Sequence, residues 1–248
     1  MEDHDLLRRA EDLAQRCEKS GRVTATAFLT PAERARIEQW AKRGFDGTLL
    51  FHGGHPECER TAAFFLPDYL TCEDFDAAEY IRAIELTAHF GTPGHRDYLG
   101  ALMNMGVGRE RLGDIWVSGD RAVVFCLPGV EKHLLSIDRV GRASVTAREI
   151  ALTEIPAPER KVKELSFSVM RPRLDAVVAG LFRLSRSEAA RQIAYGNVSI
   201  NYMQSDKTDF LVHEGDVISL RGAGKGRITG TGGTSRKGRL FVYAEVYQ

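Results

Sequence analysis

Five arginines lie close together in residues 171–201, and their side-chain chemistry suits the binding of phosphate groups. They are Arg171, Arg173, Arg183, Arg186 and Arg191. A guanidinium group presents several N–H donors in one plane, which matches the oxygens of a phosphate. One arginine at such a position is usually part of an ordinary solvated surface. Five arginines around a small helical unit favour the binding of nucleic acid instead.

The same residues have the pattern of two short helices that would carry the arginines. Apolar side chains from Leu174 to Phe182 recur at the spacing of one helical face. A second helix is predicted to begin at Ser185, with Glu188 completing a capping box, and to end at Gly196. After Gly196, apolar and polar side chains alternate as in a half-buried strand.

Arg186 occupies an unfavourable position in the second predicted helix. It lies in the first helical turn, where a positive charge opposes the helix dipole. A residue placed against its local electrostatics often serves a ligand. The backbone N–H groups at the helix start, together with Arg186, would suit a phosphate oxygen. We therefore expect Arg186 to contact the nucleic acid.

This part of the chain resembles the alpha-L RNA-binding module, which is named after the small-subunit ribosomal protein S-four. The matching residues are Arg173-Leu174-Asp175, Ser185-Arg186, Ala189, Ile193, Gly196, Val198, Ile200 and Asn201, followed by a closing turn and strand at 213–218. Tyr202 replaces the usual glycine, so we expect a reshaped turn there. The resemblance implies RNA contacts by Arg173, Ser185, Arg186, Arg191, Asn201 and Lys207.

Positive charge is concentrated in the C-terminal third of the chain. Residues 160–248 contain 15 lysines and arginines but only 8 aspartates and glutamates, although the formal net charge of the whole chain is zero. Such a charge difference between two parts of a chain suggests that one end binds nucleic acid. The predicted RNA contacts therefore also include Arg171, Arg221 and Lys225. Lys225 lies in a glycine-rich segment, residues 222–233, which lacks the P-loop pattern and is predicted to be a flexible turn region.

Other residues that could perform chemistry form no convincing site. The four cysteines are Cys17, Cys58, Cys72 and Cys126, and their spacing fits neither a CxxC motif nor a zinc site. His52 and His55 have no third metal ligand nearby in the sequence. His95 and Asp97 could form a catalytic pair, but no nucleophile or cofactor motif accompanies them, so we expect this polar cluster to fix its loop or to contact a partner. The sequence therefore predicts no catalytic residue, no metal and no cofactor.

The order of helical and strand patterns predicts an α+β protein with three domains. Residues 1–75 indicate a small, mainly helical α/β domain, and residues 165–248 form the alpha-L domain. Residues 76–155 have the order β-α-β-β-α-β, which is typical of a ferredoxin-like or RRM-like domain. This middle domain lacks the exposed aromatic residues of RNA-recognition strands, so we do not expect its sheet face to bind RNA. Its two helices are predicted over 94–105 and 130–140. In the first, the inward-facing side chains are predicted to be Tyr98, Leu99, Leu102 and Met103.

Over nearly its whole length the chain resembles the YlmH family of bacterial RNA-binding proteins, which is related to the quality-control factor RqcP. The resemblance is carried by 51–54, Glu59-Arg60, 67–69, 95–103, 109–115 and the C-terminal module. It implies a non-catalytic protein that binds large ribosomal subunits carrying stalled peptidyl-tRNA and supports alanine tailing of the stalled chain. The implied partners are ribosomal RNA of the large subunit and peptidyl-tRNA.

Two alternative functions stay open. Pseudouridine synthases and some RNA methyltransferases carry the same module, so the chain could be an RNA-modifying enzyme. Those enzymes append a large catalytic domain after the module, whereas only 27 residues follow Arg221. Gly238-Arg239-Leu240 resembles a synthase motif, but Phe241 stands where the catalytic aspartate of that motif would be. A role in ribosome assembly or in division-linked RNA binding is the other alternative.

The compartment is predicted from the cysteines and the N-terminus. Four separate thiols are typical of a reducing cytoplasm. The acidic N-terminal residues do not resemble a signal peptide, and no apolar segment is long enough to span a membrane. We therefore expect a cytoplasmic monomer that does not bind membranes.

Overall fold

The computed structural model describes residues 3–158, 162–235 and 238–247. The chain divides into two compact units, Met1–Glu159 and Arg160–Gln248. Helices and antiparallel sheets occur in both units, which confirms the predicted α+β class. The predicted domain boundary at residue 75 lies inside the first unit and stays a prediction.

The first unit begins with two helices and a small antiparallel sheet. These elements are α1 Asp3–Ser20, β1 Thr24–Ala25, α2 Pro31–Ala41, β2 Thr48–His52 and β3 Ala62–Leu66. The strands pair in the order β1-β3-β2. Helix α2 begins with a complete capping box, because the Thr30 hydroxyl accepts the Glu33 N–H while the Glu33 carboxylate accepts the Thr30 N–H. Ile37 of this helix is fully buried against Phe65 of β3 and the apolar side of α1.

A ferredoxin-like domain follows within the same unit. Its elements are β4 Arg82–Ala88, α3 His95–Asn104, β5 Leu112–Ser118, β6 Arg121–Cys126, α4 Glu131–Leu135, β7 Arg139–Val140 and β8 Ala143–Ile150. All strand pairs are antiparallel and the sheet order is β5-β6-β4-β8-β7. The predicted order β-α-β-β-α-β is therefore confirmed, with β7 as an additional short strand.

Two local predictions for this domain were wrong. The second helix was expected to reach residue 140, but α4 ends at Leu135, because Arg139 and Val140 pair with β8 across a turn at Gly141. Met103 was expected to point inward, yet it is 42% exposed. Tyr98 already occupies the buried face of α3, and Met103 does not share that face.

The five-stranded sheet uses both faces for packing. On one side Ile84 and Leu86 face α3 and α4 in a large apolar core. On the other side Ala83 and Phe125 pack against Phe64 of β3. Part of the face that binds RNA in RNA-recognition domains is thus occupied by this chain itself.

The second unit consists of one large sheet and two helices. Its elements are β9 Val162–Val169, α5 Leu174–Phe182, α6 Arg186–Ala194, β10 Val198–Ile200, β11 Met203–Gln204, β12 Val217–Leu220, β13 Gly224–Thr234 and β14 Leu240–Tyr247. The six strands are antiparallel in the order β11-β10-β12-β13-β14-β9. Both helices pack on one face of this sheet, where they enclose a single apolar core.

The sheet of the second unit contains two strands that differ from the sequence predictions. The glycine-rich segment was expected to be a flexible turn region, but its residues form β13 between β12 and β14. Glycine suits this place, because a Cβ on Gly226 would lie only 3.1 Å from the Glu245 carbonyl oxygen and 3.2 Å from Leu181. Strand β9 was not predicted at all, although Leu165 and Phe167 alternate with polar residues. Among the described residues, no helix is long and apolar enough to cross a lipid bilayer.

Candidate nucleic-acid interface

Asp175 brings two of the predicted RNA-contacting arginines together. Its carboxylate lies in the first turn of α5 and is only 7% exposed. Oδ2 accepts a hydrogen bond of 2.5 Å from Nη2 of Arg186, and Oδ1 lies 3.4 Å from Nε of Arg173, within ion-pair distance but without hydrogen-bond geometry. A buried carboxylate is costly unless it is paired, so the two arginines compensate it. In return the carboxylate orients Arg186 by a hydrogen bond and attracts Arg173 by charge, while the two side chains stay 60% and 40% exposed.

The backbone around Arg173 explains how this residue is held at the start of α5. Arg173 is the N-cap, and it forms an isolated bridge with Leu211. The first helical N–H groups, of Leu174 and Asp175, donate to the carbonyl oxygens of Phe210 and Thr208. The loop at 205–211 therefore covers the start of α5, and it places the exposed Lys207 on the same end of the helix.

The start of α6 follows only part of the predicted capping box. The Ser185 hydroxyl accepts the Glu188 N–H at 3.1 Å, as expected. The Glu188 carboxylate does not return to Ser185, because it accepts hydrogen bonds from Gln192 and Arg191. These hydrogen bonds lower the pKa of Glu188, and the bond from Gln192 has the largest effect. Arg191 is thus paired along the helix surface, although its side chain is largely exposed.

The end of α6 confirms the predicted stop at Gly196. Gly196 has a φ of 70°. Its N–H donates to the Ile193 carbonyl and the Asn197 N–H donates to the Gln192 carbonyl, which is the hydrogen-bond pattern of a Schellman motif. A Cβ at this position would lie 2.0 Å from Nε2 of Gln204. The left-handed backbone therefore favours glycine here, whereas the end of the flexible Gln204 side chain can move aside.

Asn201 has a role inside the fold that the sequence motif did not reveal. Its amide group donates to Oδ1 of Asp216 at 2.8 Å and accepts the Val217 N–H at 2.9 Å. These bonds hold the turn after β10 against the start of β12. Asn201 and Tyr202 form the two-residue turn, with φ values of 48° and 66°. The turn keeps the left-handed backbone for which glycine is usual, and Tyr202 adopts it at a steric cost.

The remaining predicted contacts are spread over different parts of the second unit. Arg221 is exposed at the end of β12, where its backbone N–H donates to the Asn197 carbonyl. Gly226 faces Leu181 of α5, so its neighbour Lys225 lies on the opposite face of the sheet, with its ammonium 5.0 Å from the centroid of the Tyr247 ring. The predicted set of RNA contacts therefore combines residues from both faces of the sheet.

Several of the predicted arginines line a single groove beside α5. Arg171, Arg173 and Arg186 line this groove of about 570 Å³, and Arg239 joins them. Arg239 was missed as a site residue. Its Nη2 donates to the Ser168 carbonyl at 2.6 Å, because the pairing of β14 with β9 places it beside the end of β9. The alternation in 162–169 was the signal that could have predicted β9, although not its pairing with β14. Arg183 is exposed at the left-handed C-cap of α5 and does not line the groove.

Polar residues of the first unit that carried the family resemblance stabilise its backbone. The Asp114 carboxylate accepts the N–H groups of Glu59 and Arg60 at 2.7 and 3.1 Å. The Arg60 guanidinium donates to backbone carbonyls, among them those of Phe28 and Leu112, and burial lowers its pKa. These side chains are engaged in the fold of the first unit.

The candidate catalytic and metal-binding residues of the first unit have similar local roles. Asp97 accepts the Gly94 N–H at 2.8 Å, which confirms the expectation that the polar cluster fixes its loop. The Nδ1 atoms of His52 and His55 accept backbone N–H groups two residues later. Burial raises the pKa of the Cys126 thiol to about 12 and also raises that of Cys58. Within the described part of the chain, no group of three or more metal-ligating side chains is arranged to hold an ion.

Comparison with known proteins finds similarity both in sequence and in fold. A family model described as a putative RNA-binding domain in YlmH matches residues 71–154, which include the whole ferredoxin-like sheet. The Bacillus subtilis (strain 168) protein named ribosome-associated protein quality control protein P2 is 30% identical over 226 residues, which are 90% of this chain and 87% of that protein. The solved structure of cell division protein ylmH from Streptococcus pneumoniae superposes with a TM-score of 0.52 at 23% identity, covering 63% of this chain and 96% of that one, and shows a shared fold.

Proposed function

The chain belongs to the YlmH family, and on that premise we propose that it is a non-catalytic RNA-binding protein of ribosome-associated protein quality control. In this proposal it acts in the cytoplasm on large ribosomal subunits that carry a stalled peptidyl-tRNA, and it supports alanine tailing of the stalled chain. The observation that carries the RNA-binding part is the pairing of Arg173 and Arg186 with one buried carboxylate beside an arginine-lined groove. The name of the Bacillus subtilis relative supports the quality-control part.

The physical basis of the proposed binding is a set of guanidinium groups held in place before RNA arrives. Free arginine side chains lose rotational freedom when they bind a phosphate, and this loss weakens the interaction. Asp175 has already restricted Arg173 and Arg186, and each of these arginines keeps N–H donors that Asp175 does not use. Charge-assisted hydrogen bonds from these donors to phosphate oxygens would hold the RNA.

The charge distribution supports RNA binding through the C-terminal part of the chain. Residues 160–248 carry an excess of about seven positive charges, and the preceding residues carry an equal excess of negative charges. The positive part attracts phosphates, whereas the acidic part opposes general adsorption to RNA. We propose that Arg171, Arg173 and Arg186 form the centre of the contact, and that Ser185, Arg191, Lys207 and Arg221 extend it.

The non-catalytic part of the proposal is supported by the state of two of the four thiols and of one candidate carboxylate. Cys58 and Cys126 are buried with raised pKa values, so their thiols stay protonated at neutral pH. The Asp97 carboxylate is engaged by the Gly94 N–H of its own loop. Recognition of folded RNA through its shape and its phosphates does not involve these thiols or this carboxylate.

Co-sedimentation with large ribosomal subunits tests this function. We expect the full-length chain to pellet with subunits that carry peptidyl-tRNA more than with empty subunits, and to be released as salt concentration rises. Equal pelleting with both kinds of subunit would remove peptidyl-tRNA from the proposal. Failure to pellet with either kind at low salt would contradict ribosome binding altogether.

Mass spectrometry of ribosomal RNA tests the non-catalytic role separately. We expect the same modified nucleotides in cells with and without the protein. A modification that disappears with the protein would instead establish an RNA-modifying enzyme.

A further inference from the structure

The arginine-lined groove has an apolar floor that phosphate binding alone does not explain. Three large apolar side chains, those of Phe167, Met170 and Leu184, line the groove together with Ala176 and Ala179, and this apolar lining is called the floor. The Phe167 ring lies directly against the backbone of α5, because a Cβ added to Gly180 would be 2.3 Å from that ring. Met170 is 69% exposed, which is unusual for a large apolar side chain beside several arginines.

The rim of the groove is cationic and largely fixed in position. Asp175 holds Arg173 and Arg186, and the Ser168 carbonyl holds Arg239. Arg171 completes the rim. Asp175 offsets one of the four positive charges, so the groove retains an excess of about three. A ligand that satisfies both parts of the groove combines an anionic group with an apolar surface.

We propose that this groove takes one unpaired nucleotide of the bound RNA, with its base on Phe167, Met170 and Leu184 and its flanking phosphates on the arginine rim. The inference rests on the proposed RNA binding and specifies the kind of RNA that is recognised. The groove volume of about 570 Å³ falls in the range of about 300–1,000 Å³ that is usual for small-ligand sites.

An unpaired nucleotide fits the groove better than a paired one. In a duplex the bases are stacked within the helix and the major groove of RNA is too narrow for side chains, so only phosphates and sugars would reach the rim. The apolar floor would then stay empty. An unpaired base can leave its stack and cover apolar side chains, which is how proteins usually recognise loops and single strands.

Binding of the full-length chain to two RNA probes tests the site. One probe is an RNA stem closed by an unpaired loop, and the other is the same stem as a blunt duplex, both followed by fluorescence anisotropy. We expect the chain to prefer the stem-loop. Met170→Ala should weaken stem-loop binding about threefold and leave duplex binding unchanged, because an exposed thioether that packs on a base is lost. Since Met170 is exposed, this change should not disturb folding.

The rim is tested with Arg239→Ala and a matched arginine. Arg239→Ala should weaken stem-loop binding about tenfold through the loss of charged hydrogen bonds. Arg227→Ala is the control, because Arg227 is exposed on the face of the sheet away from α5. Equal losses for the two variants would show that only overall charge matters and would overturn the nucleotide site.

Photo-crosslinking with thiouridine in the loop gives an independent readout. We expect crosslinks within the peptide that contains Phe167 and Met170. Crosslinks confined to other parts of the chain, equal affinity for both probes, or no binding to either probe would overturn the nucleotide site. Binding to large ribosomal subunits is measured in parallel, so a failure of the proposed function is seen separately from a failure of this inference.

Discussion

Nη2 of Arg186 lies 2.5 Å from Oδ2 of Asp175, and this ion pair joins the first turns of α5 and α6. The carboxylate is buried while the guanidinium is 60% exposed, so the pair fixes a cation at the surface from inside the fold. Arg173 approaches the other oxygen of the same carboxylate. One acidic residue thus holds two basic residues, Arg186 by a hydrogen bond and Arg173 by charge.

Replacing Asp175 separates the effect of orientation from the effect of net charge. Asp175→Asn adds one positive charge to the unit, so simple electrostatics predicts tighter RNA binding. We expect binding to weaken by about 1 kcal/mol instead, because Arg173 and Arg186 lose the group that orients them. Titration of large subunits or of a stem-loop RNA at two salt concentrations measures this change.

The matched control for that change is Asp209→Asn, which alters the charge equally at an exposed position in the same unit. This control should bind RNA as well as the natural chain or slightly better. Tighter binding by both variants would show that the Asp175 pairing has no part in recognition.

Removing the guanidinium of Arg186 should weaken RNA binding and also lower the stability of the second unit, because the buried Asp175 carboxylate loses its hydrogen-bond donor. Arg186→Ala loses a charge-assisted phosphate contact, which is worth about 1.5–3 kcal/mol, and should reduce the salt slope of binding by about one. Arg173→Ala should behave similarly. Circular dichroism checks the fold, and binding at two salt concentrations gives the slope. An unchanged affinity and slope would exclude these arginines from the interface.

Asn201 should affect stability rather than recognition. Asn201→Ala removes the hydrogen bonds to Asp216 and Val217, and it places alanine at a φ of 48°. We expect a loss of about 1–3 kcal/mol in the free energy of unfolding, measured by urea denaturation. RNA affinity under native conditions should stay nearly the same. A loss of affinity in a variant of full stability would restore Asn201 as an RNA contact.

Two helical glycines should respond in opposite directions to the same substitution. Gly180→Ala places a Cβ 2.3 Å from the Phe167 ring, so we expect a loss of about 1–3 kcal/mol in the stability of the second unit. Gly100→Ala in α3 meets nothing within 4 Å and should stabilise the first unit by about 0.5–1 kcal/mol through helix propensity. Urea unfolding of both variants compares them. Stabilisation by Gly180→Ala would mean that the ring does not rest on this helix.

The sequence alone determined those elements whose signals lie within a few residues. The start of α6 at Ser185 was predicted from a capping hydroxyl, and its end at Gly196 was predicted from a left-handed glycine. The order of strands and helices in the ferredoxin-like domain followed from apolar periodicity and turn residues. Such signals act through hydrogen bonds and packing between near neighbours, so they can be recognised without knowledge of the rest of the chain.

The tertiary structure decided which of the basic residues share a surface. Strand β9 pairs with β14 from a distant part of the chain, and only this pairing places Arg239 beside Arg173 and Arg186. The same sheet puts Lys225 on its opposite face, because successive residues of a strand point to opposite sides. Strand pairing and side-chain direction depend on register between distant segments, and the burial of Asp175 depends on packing of the whole unit. Local sequence patterns contain no information about these contacts.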